Sequence, residues 1–500
     1  MDKERKGRSS ARSVIDHRPT SPAEDDARLW HIHGRVYDLT PFLARHPGGE
    51  EVLRSVRGSD DLTAIFESNH AFADRARIDK VMRTFYVRDG EPTTLHFPSE
   101  GFYRTVTQRV RQALPKNGNL ATRWWCVKAT ILTLLWAICF AVAFFGMPLP
   151  KASAPPSSID AVATTGWKRR MGGLRALLGA AGRALTRRGA SMQPPPPLLA
   201  NQIGAADEPW QFMTRCALAL VAGHLFICVG FVVMHDASHS AISRRARTNT
   251  TLTWLWNALA CWDHRLWHKH HVFRHHSFTG DVKRDPDTVH LTPFLKKHTA
   301  QGGPKCPSLS RRAPWSACVL FVNMLPGMFL GQAISYARWW QRGRLWRMDV
   351  VRDARIDIAA CAIRVAVLAA YATHPLIATV YLLAMNCTYA VCILPDHDTE
   401  ETRDAAAPLA GAPPRDWGEE QVRNSANFAT RNPVVCGLYG GINYQIEHHL
   451  FPTLCHVHYE RIQPIVRQAC KEYAIPYVDH PTVVSAYASA LRAIATATLA

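Results

Sequence analysis

The stretch Asn443-Tyr-Gln-Ile-Glu-His-His-Leu-Phe-Pro452 decides how this chain is read. Gln445, His448 and His449 stand at i, i+3 and i+4, so on a helix they project from one side. Neutral imidazole is the commonest metal-binding side chain, and a metal is seldom held by one side chain alone. The stretch therefore needs partners, and two clusters upstream supply them. His235-Asp-Ala-Ser-His239 is an i, i+4 pair, and His271-Val-Phe-Arg-His275-His276 adds a second such pair with one neighbour. Six histidines fall within the thirteen positions from His264 to His276, against 24 in all 500 residues. His264, His268 and His270 precede the regular spacing and are expected to line the approach to the site or face lipid headgroups. His224, inside an apolar run, is expected to be packed or hydrogen-bonded.

Around these clusters the chain alternates apolar and basic segments. The formal net charge of +19 admits nucleic acid, an anionic membrane face or acidic proteins as partners. Long runs rich in Trp, Leu, Ala and Val point to positive flanks of membrane segments and away from nucleic acid. The thirteen cysteines show no CxxC spacing, and Cys126, Cys139, Cys216 and Cys228 lie inside apolar runs, the pattern of buried thiols. Residues 1–23 are polar, without the apolar core of a signal peptide, and are expected to be disordered on the cytosolic side.

Trp124–Met147 and Phe212–Met234 each approach the ~20 apolar residues needed to cross a ~30 Å hydrocarbon core. As a hairpin they would return His235 to the side from which the chain entered. Between them, 151–209 is rich in Ala, Pro, Gly and Arg, and reads as a low-complexity insertion with one short basic helix near Leu174–Leu185. Thr250–Cys261 is apolar but too short to cross. Beyond the second cluster lie three candidates: Trp315–Ser335, Ile356–Thr373 and Leu376–Leu394. An even number of crossings must separate clusters that meet on one face. The turn at His374-Pro375 favours the last two as spans and leaves the first interfacial, with Arg364 the feature against this choice.

Residues 24–100 have a different character. Trp30-His-Ile-His-Gly-Arg-Val-Tyr-Asp-Leu-Thr-Pro-Phe-Leu43, His46-Pro-Gly-Gly49 and Asp61-Leu-Thr-Ala-Ile-Phe66 before His70 resemble cytochrome b5. The resemblance implies haem b with His46 and His70 as axial ligands. With both axial positions filled, such a haem passes electrons and does no oxygen chemistry itself. His31, His33 and His96 have no such context and are expected at the surface.

The three histidine clusters are similar to the histidine boxes of membrane fatty acyl desaturases: His235 and His239, then His271, His275 and His276, then the Gln445-Ile-Glu-His-His449 form. Glutamine at the head of the third box together with the fused N-terminal domain is the pattern of front-end desaturases, which insert a double bond between an existing one and the carboxyl end. The resemblance covers 24–100 and most of 210–465, but not the insertion. It implies an α+β cytochrome b5-like domain followed by an all-α multi-pass membrane domain with a cytosolic histidine-rich di-iron cap. The segments would be a linker and first span over 101–150, the membrane domain over 210–470 and a C-terminal tail over 471–500. His397, following the last span, is expected as a further metal ligand, and Asn424 and Asn427 as weaker candidates for a water-mediated contact or for supporting a ligand. Val272 departs from the family, which has Asn at that position, and Leu394-Pro395-Asp396 is more polar than the family's segment.

The chemistry accounts for so many histidines. Taking hydrogen from an unactivated methylene is beyond any acid–base side chain and calls for two irons with O2 as co-substrate. Imidazole and amide ligands suit Fe(II), whereas zinc is redox-inert. Asp236, Asp285, Asp287 and Glu447 are expected to orient imidazoles. Electrons would come from NADH through a separate NADH-cytochrome b5 reductase and then the fused haem. The substrate would be a fatty acyl-CoA or acyl-lipid in the endoplasmic reticulum membrane. A hydroxylase with the same metal site, a sphingolipid desaturase and a non-catalytic haem or metal protein are the alternatives.

Overall fold

The computed structural model describes residues 28–115, 118–146, 209–291, 353–406 and 413–497 apart from Asp60 and Val282, and within 337–352 only Ala337, Arg344–Leu345 and Met348–Asp349. The insertion, its basic helix, the N-terminal 27 residues and the Trp315–Ser335 candidate lie outside the described residues.

The N-terminal unit is built on a three-stranded antiparallel sheet, β1 (Trp30–Ile32), β2 (Arg35–Tyr37) and β3 (Tyr86–Asp89), in the order β1-β2-β3. The β1–β2 turn places His33 at φ 53° and Gly34 at φ 67°, the two positive values that a tight hairpin matching strand twist requires. Trp30, Ile32, Val36 and Tyr37 are buried. Helices α1 (Glu50–Val56), α2 (Thr63–Asn69) and α3 (Arg75–Thr84) follow; Asp74 accepts from the backbone of Ala76 and Arg77 and so starts α3. His33 is not a surface bystander: its Nε2 lies 2.6 Å from Oε1 of the buried Glu67.

Helix α4 (Phe102–Ala113) leaves this unit with Phe102, Tyr103, Val106 and Val110 buried in one apolar cluster with Trp417, Phe451, Tyr459 and Ile462 of the C-terminal half. Among the described residues, four longer elements are apolar and long enough to cross a membrane: Arg123–Phe145, Pro209–Ser238, Ala354–Thr373 and Pro375–Arg403. Within them run α5 (Arg123–Phe145), α6 (Pro209–Val229), α8 (Ala354–Thr373) and α9 (Pro375–His397), with α7 (Ala246–Leu259) a shorter helix before α8. Trp124, Ile131, Leu134, Ile138 and Leu220 stay exposed, as side chains facing lipid do. Gly223 lets α6 and α9 meet closely, since a Cβ there would fall 2.4 Å from the Tyr381 carbonyl oxygen. The buried Arg215 of α6 donates to the carbonyls of Ala143 and Phe144, which the end of α5 leaves without helical partners. Pro375 begins α9 one residue after the end of α8, as the turn at His374-Pro375 predicts. Arg364 is satisfied: it donates to the Trp262 carbonyl and lies 4.0 Å from Asp263.

These helices share one functional end. The α5 start reaches the loop after the third histidine cluster (Lys128 to His456), and the α8 start reaches the second (Asp357 to Arg265). His235 and His397 sit at the far ends of the elements that contain α6 and α9. Residues 471–497 are part of the same body. Asp479–His480 pairs in parallel with Asn427–Phe428, and Val483–Ala497 packs on α9.

Candidate metal centre

Two wide turns shape the site. Gly230–His235 and His268–His275 are π-helical, and the His276 amide bonds to the His271 carbonyl at 3.2 Å. On a regular helix neighbouring residues such as His275 and His276 would point about 100° apart. The wider turn lets His271, His275 and His276 all face inward. The third cluster is a short regular helix, α10 (Gln445–Leu450), held by Asn427 Oδ1 accepting from the Ile446 amide.

His235, His239, His271 and His448 offer ring nitrogens within 4.8 Å of one another, and His275, His397 and His449 do the same. All seven are buried, as are His276 and Gln445. Two imidazoles at right angles on one metal, each nitrogen about 2.1 Å from it, have nitrogens about 3.0 Å and ring centres about 4.5 Å apart; opposite ones have ring centres about 6.3 Å apart. In the first group centre spacings run from 4.4 Å for His235–His448 to 5.1 Å for His239–His271, and the nearly parallel His271 and His448 rings are 6.1 Å apart. The His235 and His271 Nε2 atoms are 3.0 Å apart. In the second group the three spacings are 4.7 to 4.9 Å. His276 lies between the groups, 4.5 Å from the His239 ring and stacked 4.3 Å from His449. Gln445 Nε2 is 2.9 Å from His397 Nε2 and 3.2 Å from His449 Nε2. A turn of the amide exchanges its oxygen and nitrogen at the same place.

Both nitrogens of His239, Nε2 of His448, Nδ1 of His276 and Oε1 of Gln445 are buried without hydrogen-bond partners, a costly arrangement for a site with nothing to bind. Burial, reinforced by neighbouring imidazoles, holds His239, His271, His276, His448 and His449 well below the usual imidazole range, so they are neutral. Neutral, mutually close nitrogens with no protein partner fit a pair of metal ions.

Outer partners fix several rings. His275 Nδ1 lies 3.1 Å from Asp285 and 3.2 Å from Asp287, the two carboxylates expected to orient imidazoles. His397 Nδ1 donates to the Asn424 carbonyl at 2.7 Å. The sequence did not mark Tyr459, whose hydroxyl is 3.0 Å from His448 Nδ1, or Gln421, whose Oε1 is 3.0 Å from His449 Nδ1. Two expected orienters act elsewhere. Asp236 accepts from His456 Nδ1 at 2.6 Å, because the backbone turns its carboxylate outward from the cluster that His235 faces. Glu447 accepts from Tyr477 and Asn427, and burial lifts its carboxyl to about 7 against those hydrogen bonds. Of the three approach histidines, His264 is buried 3.7 Å from Glu51 of the N-terminal unit, His268 bonds the His264 carbonyl, and His270 pairs with Asp287. His224 is hydrogen-bonded to Thr388.

In the N-terminal unit the His46 and His70 ring centres are 6.3 Å apart, the spacing of ligands on opposite sides of one metal. His46 Nδ1 donates to the Gly49 carbonyl and His70 Nδ1 to the Phe66 carbonyl, which leaves both Nε2 lone pairs for iron. Burial lowers His70 to about 4 and lowers His46 too, keeping both neutral. A Cβ at Gly48 would fall 2.9 Å from His46 Cε1, so the ring keeps its place only beside glycine. The pair fits haem.

Val272 and Phe273, between the ligands of the second cluster, are buried in the same apolar cluster as Trp30, Leu43 and Phe66 of the N-terminal unit. That packing gives the unusual Val272 its place.

Comparison with known proteins agrees with this geometry. Residues 16–90 match the cytochrome b5-like haem/steroid binding domain family and residues 210–481 the fatty acid desaturase family. The chain is 24% identical to an acyl-lipid (8-3)-desaturase of Mortierella alpina, over 92% of this chain and 91% of the relative. It is 25% identical to an sn-1 linoleoyl-lipid 6-desaturase of Synechocystis, over 57% and 80%. It is 26% identical to a chloroplastic acyl-lipid (7-3)-desaturase of Chlamydomonas reinhardtii, over 90% and 77%. Two buried imidazole groups at the end of four apolar helices, behind a unit with its own facing histidine pair, thus have their explanation: this chain belongs to the fatty acid desaturase family and carries an N-terminal cytochrome b5-like domain.

Proposed function

We propose that the protein is an oxygen-dependent acyl desaturase that inserts a cis double bond on the carboxyl side of an existing one. The observation that carries this is the pair of adjacent imidazole groups with right-angle ligand spacing. His235, His239, His271, His276 and His448 would hold one iron, and His275, His397, His449 and Gln445 the other. Iron bound there supplies, with dioxygen and two electrons, the oxidising strength to remove hydrogen from a methylene. The balance is one dioxygen, two electrons, two protons and two substrate hydrogens giving two waters and the alkene. Asp285, Asp287, Tyr459, Gln421 and the Asn424 carbonyl hold the Nδ1 protons, so that Nε2 is the atom presented. His46 and His70 would hold haem b, which would supply one-electron transfer from NADH by way of a separate reductase. The histidine groups and the N-terminal domain lie at one end of the helices, which supports both facing the same side of the membrane; the reading takes that side as cytosolic and the membrane as the endoplasmic reticulum. The relatives' names favour an acyl-lipid substrate over acyl-CoA.

The test is expression in a host that lacks polyunsaturated lipids, feeding of unsaturated acids, and mass spectrometry of the methyl esters beside a His449→Ala variant. A product two mass units lighter, absent from the variant, is expected, and its double-bond position gives the regioselectivity. A product sixteen units heavier makes the protein a hydroxylase and overturns the reading.

A further inference from the structure

The haem domain is seated directly on the histidine cap. Gly49, in the His46-Pro-Gly-Gly49 turn, approaches the Ala246 side chain of α7, since a Cβ on Gly49 would fall 3.1 Å from the Ala246 Cβ. The buried Glu67 of α2 pairs with Arg75 of its own domain at 3.0 Å and with Arg104 of α4 at 2.7 Å. Phe97 stacks on Trp417 at 5.3 Å, and Arg284 Nη1 donates to Thr94 Oγ1 at 2.8 Å. Among these contacts one joins the two redox sites along the chain itself. Phe72, two residues after His70, packs against Phe451, two residues after His449, with ring centres 5.7 Å apart. Phe451 is fully buried, and Ala71 and Leu450, the residues in between, belong to the same apolar cluster. Each aromatic ring is thus separated from an imidazole by two covalent residue steps, and only one van der Waals gap lies between the rings.

We propose that the Phe72–Phe451 contact is the electronic bridge between the haem site and the second histidine group, with Phe72 as a positioning residue that couples His70 to His449. The proposal rests on the electron route given under Proposed function and adds its path. The haem domain then delivers electrons from its docked position, without a search by diffusion, one electron at a time as ferrous haem becomes ferric. Two such transfers accompany each dioxygen reduced. An aromatic ring matters at position 72 because it fills the gap with polarisable, close-packed atoms. A shorter aliphatic side chain leaves part of that gap without contact atoms.

The test uses the full-length, haem-loaded and iron-reconstituted protein in detergent. Haem is reduced without oxygen, then mixed with oxygen and an unsaturated acyl lipid, and haem oxidation is followed by absorbance. The iron-free chain gives the background rate. Phe72→Leu is expected to slow haem oxidation several-fold while haem absorbance, haem midpoint potential and melting temperature stay at wild-type values. Phe72→Tyr is expected to restore the rate. Phe97→Leu removes a docking ring whose route between the sites, through His33 on one side and Trp417 and the Ser277 carbonyl on the other, is longer and has more gaps, and it is expected to slow the rate far less than Phe72→Leu. Equal slowing in Phe72→Leu and Phe97→Leu makes the contact a docking contact only and overturns the bridge. An unaffected Phe72→Leu with a slowed Phe273→Leu moves the bridge to the second cluster and overturns it too. A wild-type haem that oxidises no faster than the iron-free background overturns the functional reading itself, which distinguishes that failure from failure of the bridge alone.

Discussion

Replacing Tyr459 by Phe tests the claim that the protein prepares each imidazole to bind through Nε2. Tyr459 is 2% exposed, and its hydroxyl lies 3.0 Å from His448 Nδ1, while His448 Nε2 has no protein partner. With the hydroxyl oxygen in place the imidazole proton rests on Nδ1 and donates to it. Without it, a buried N–H is left unpaired at about 1–3 kcal/mol, and the tautomer with its proton on Nε2, which cannot bind a metal, becomes competitive. At about 1.4 kcal/mol per factor of ten, that is roughly 5- to 150-fold in affinity, in line with the about 10–100-fold seen when hydrogen-bond partners of metal-bound histidines are removed. The assay is anaerobic Fe(II) titration of the purified protein, with bound iron counted by mass spectrometry after gel filtration. Tyr444→Phe is the control: its hydroxyl donates to the Thr430 carbonyl, away from both histidine groups, and it should lower stability without changing iron affinity. Iron affinity in Tyr459→Phe within twofold of wild type, alongside a lowered melting temperature, would refute the reasoning and reduce Tyr459 to a packing residue.

Three further outcomes follow from the same geometry. His70→Ala should abolish the haem absorbance of the purified chain while leaving non-haem iron content unchanged, measured by haemochrome and total iron together. Asp285→Asn should lower iron occupancy by about 10- to 100-fold at limiting iron, because Asp285 accepts from His275 through one oxygen and from the Gly280 amide at 2.8 Å through the other, and an amide cannot accept at both. Glu67 sets an acid limit on the haem domain: burial opposes its charge, but hydrogen bonds from His33 and Arg104 and the charges of Arg104 and Arg75 outweigh burial and bring it to about 2 from 4.5. A carboxylate lowered on folding stabilises fully above its unfolded value, so about 3 kcal/mol should be lost as pH falls from about 4.5 towards 2. Glu67→Gln should flatten that part of the stability curve in thermal melts across pH.

What could be read from the residues, and what could not, divides along the reach of the forces involved. The ligand candidates were legible because their signal is local: His235 and His239, or Gln445, His448 and His449, declare themselves by spacing alone, and apolar length declares the first two long helices, with the His374-Pro375 turn needed for the last two. The π turns were not legible. Nothing in His268–His275 distinguishes a wide turn from a regular helix until burial of three imidazoles on one face selects it. Nor could spacing say which carboxylate reaches which ring. Asp285 and Asp287 were findable because they follow the second cluster closely in sequence, whereas Asp236, adjacent to a candidate ligand in sequence, points to His456 from 220 residues away. Tyr459 and Gln421 are of the same kind, ordinary residues that gain a role only through tertiary contact. Val272 carries the general point furthest. Against the family pattern it is a departure for which spacing offers no reason. In this chain the position is covered by the haem domain, and an apolar side chain buried with Phe273 among Trp30, Leu43 and Phe66 is what a fixed interface between two domains calls for. The residue between two candidate ligands is thus part of the N-terminal unit's own apolar core, a role that spacing along the chain cannot disclose and only the tertiary contact does.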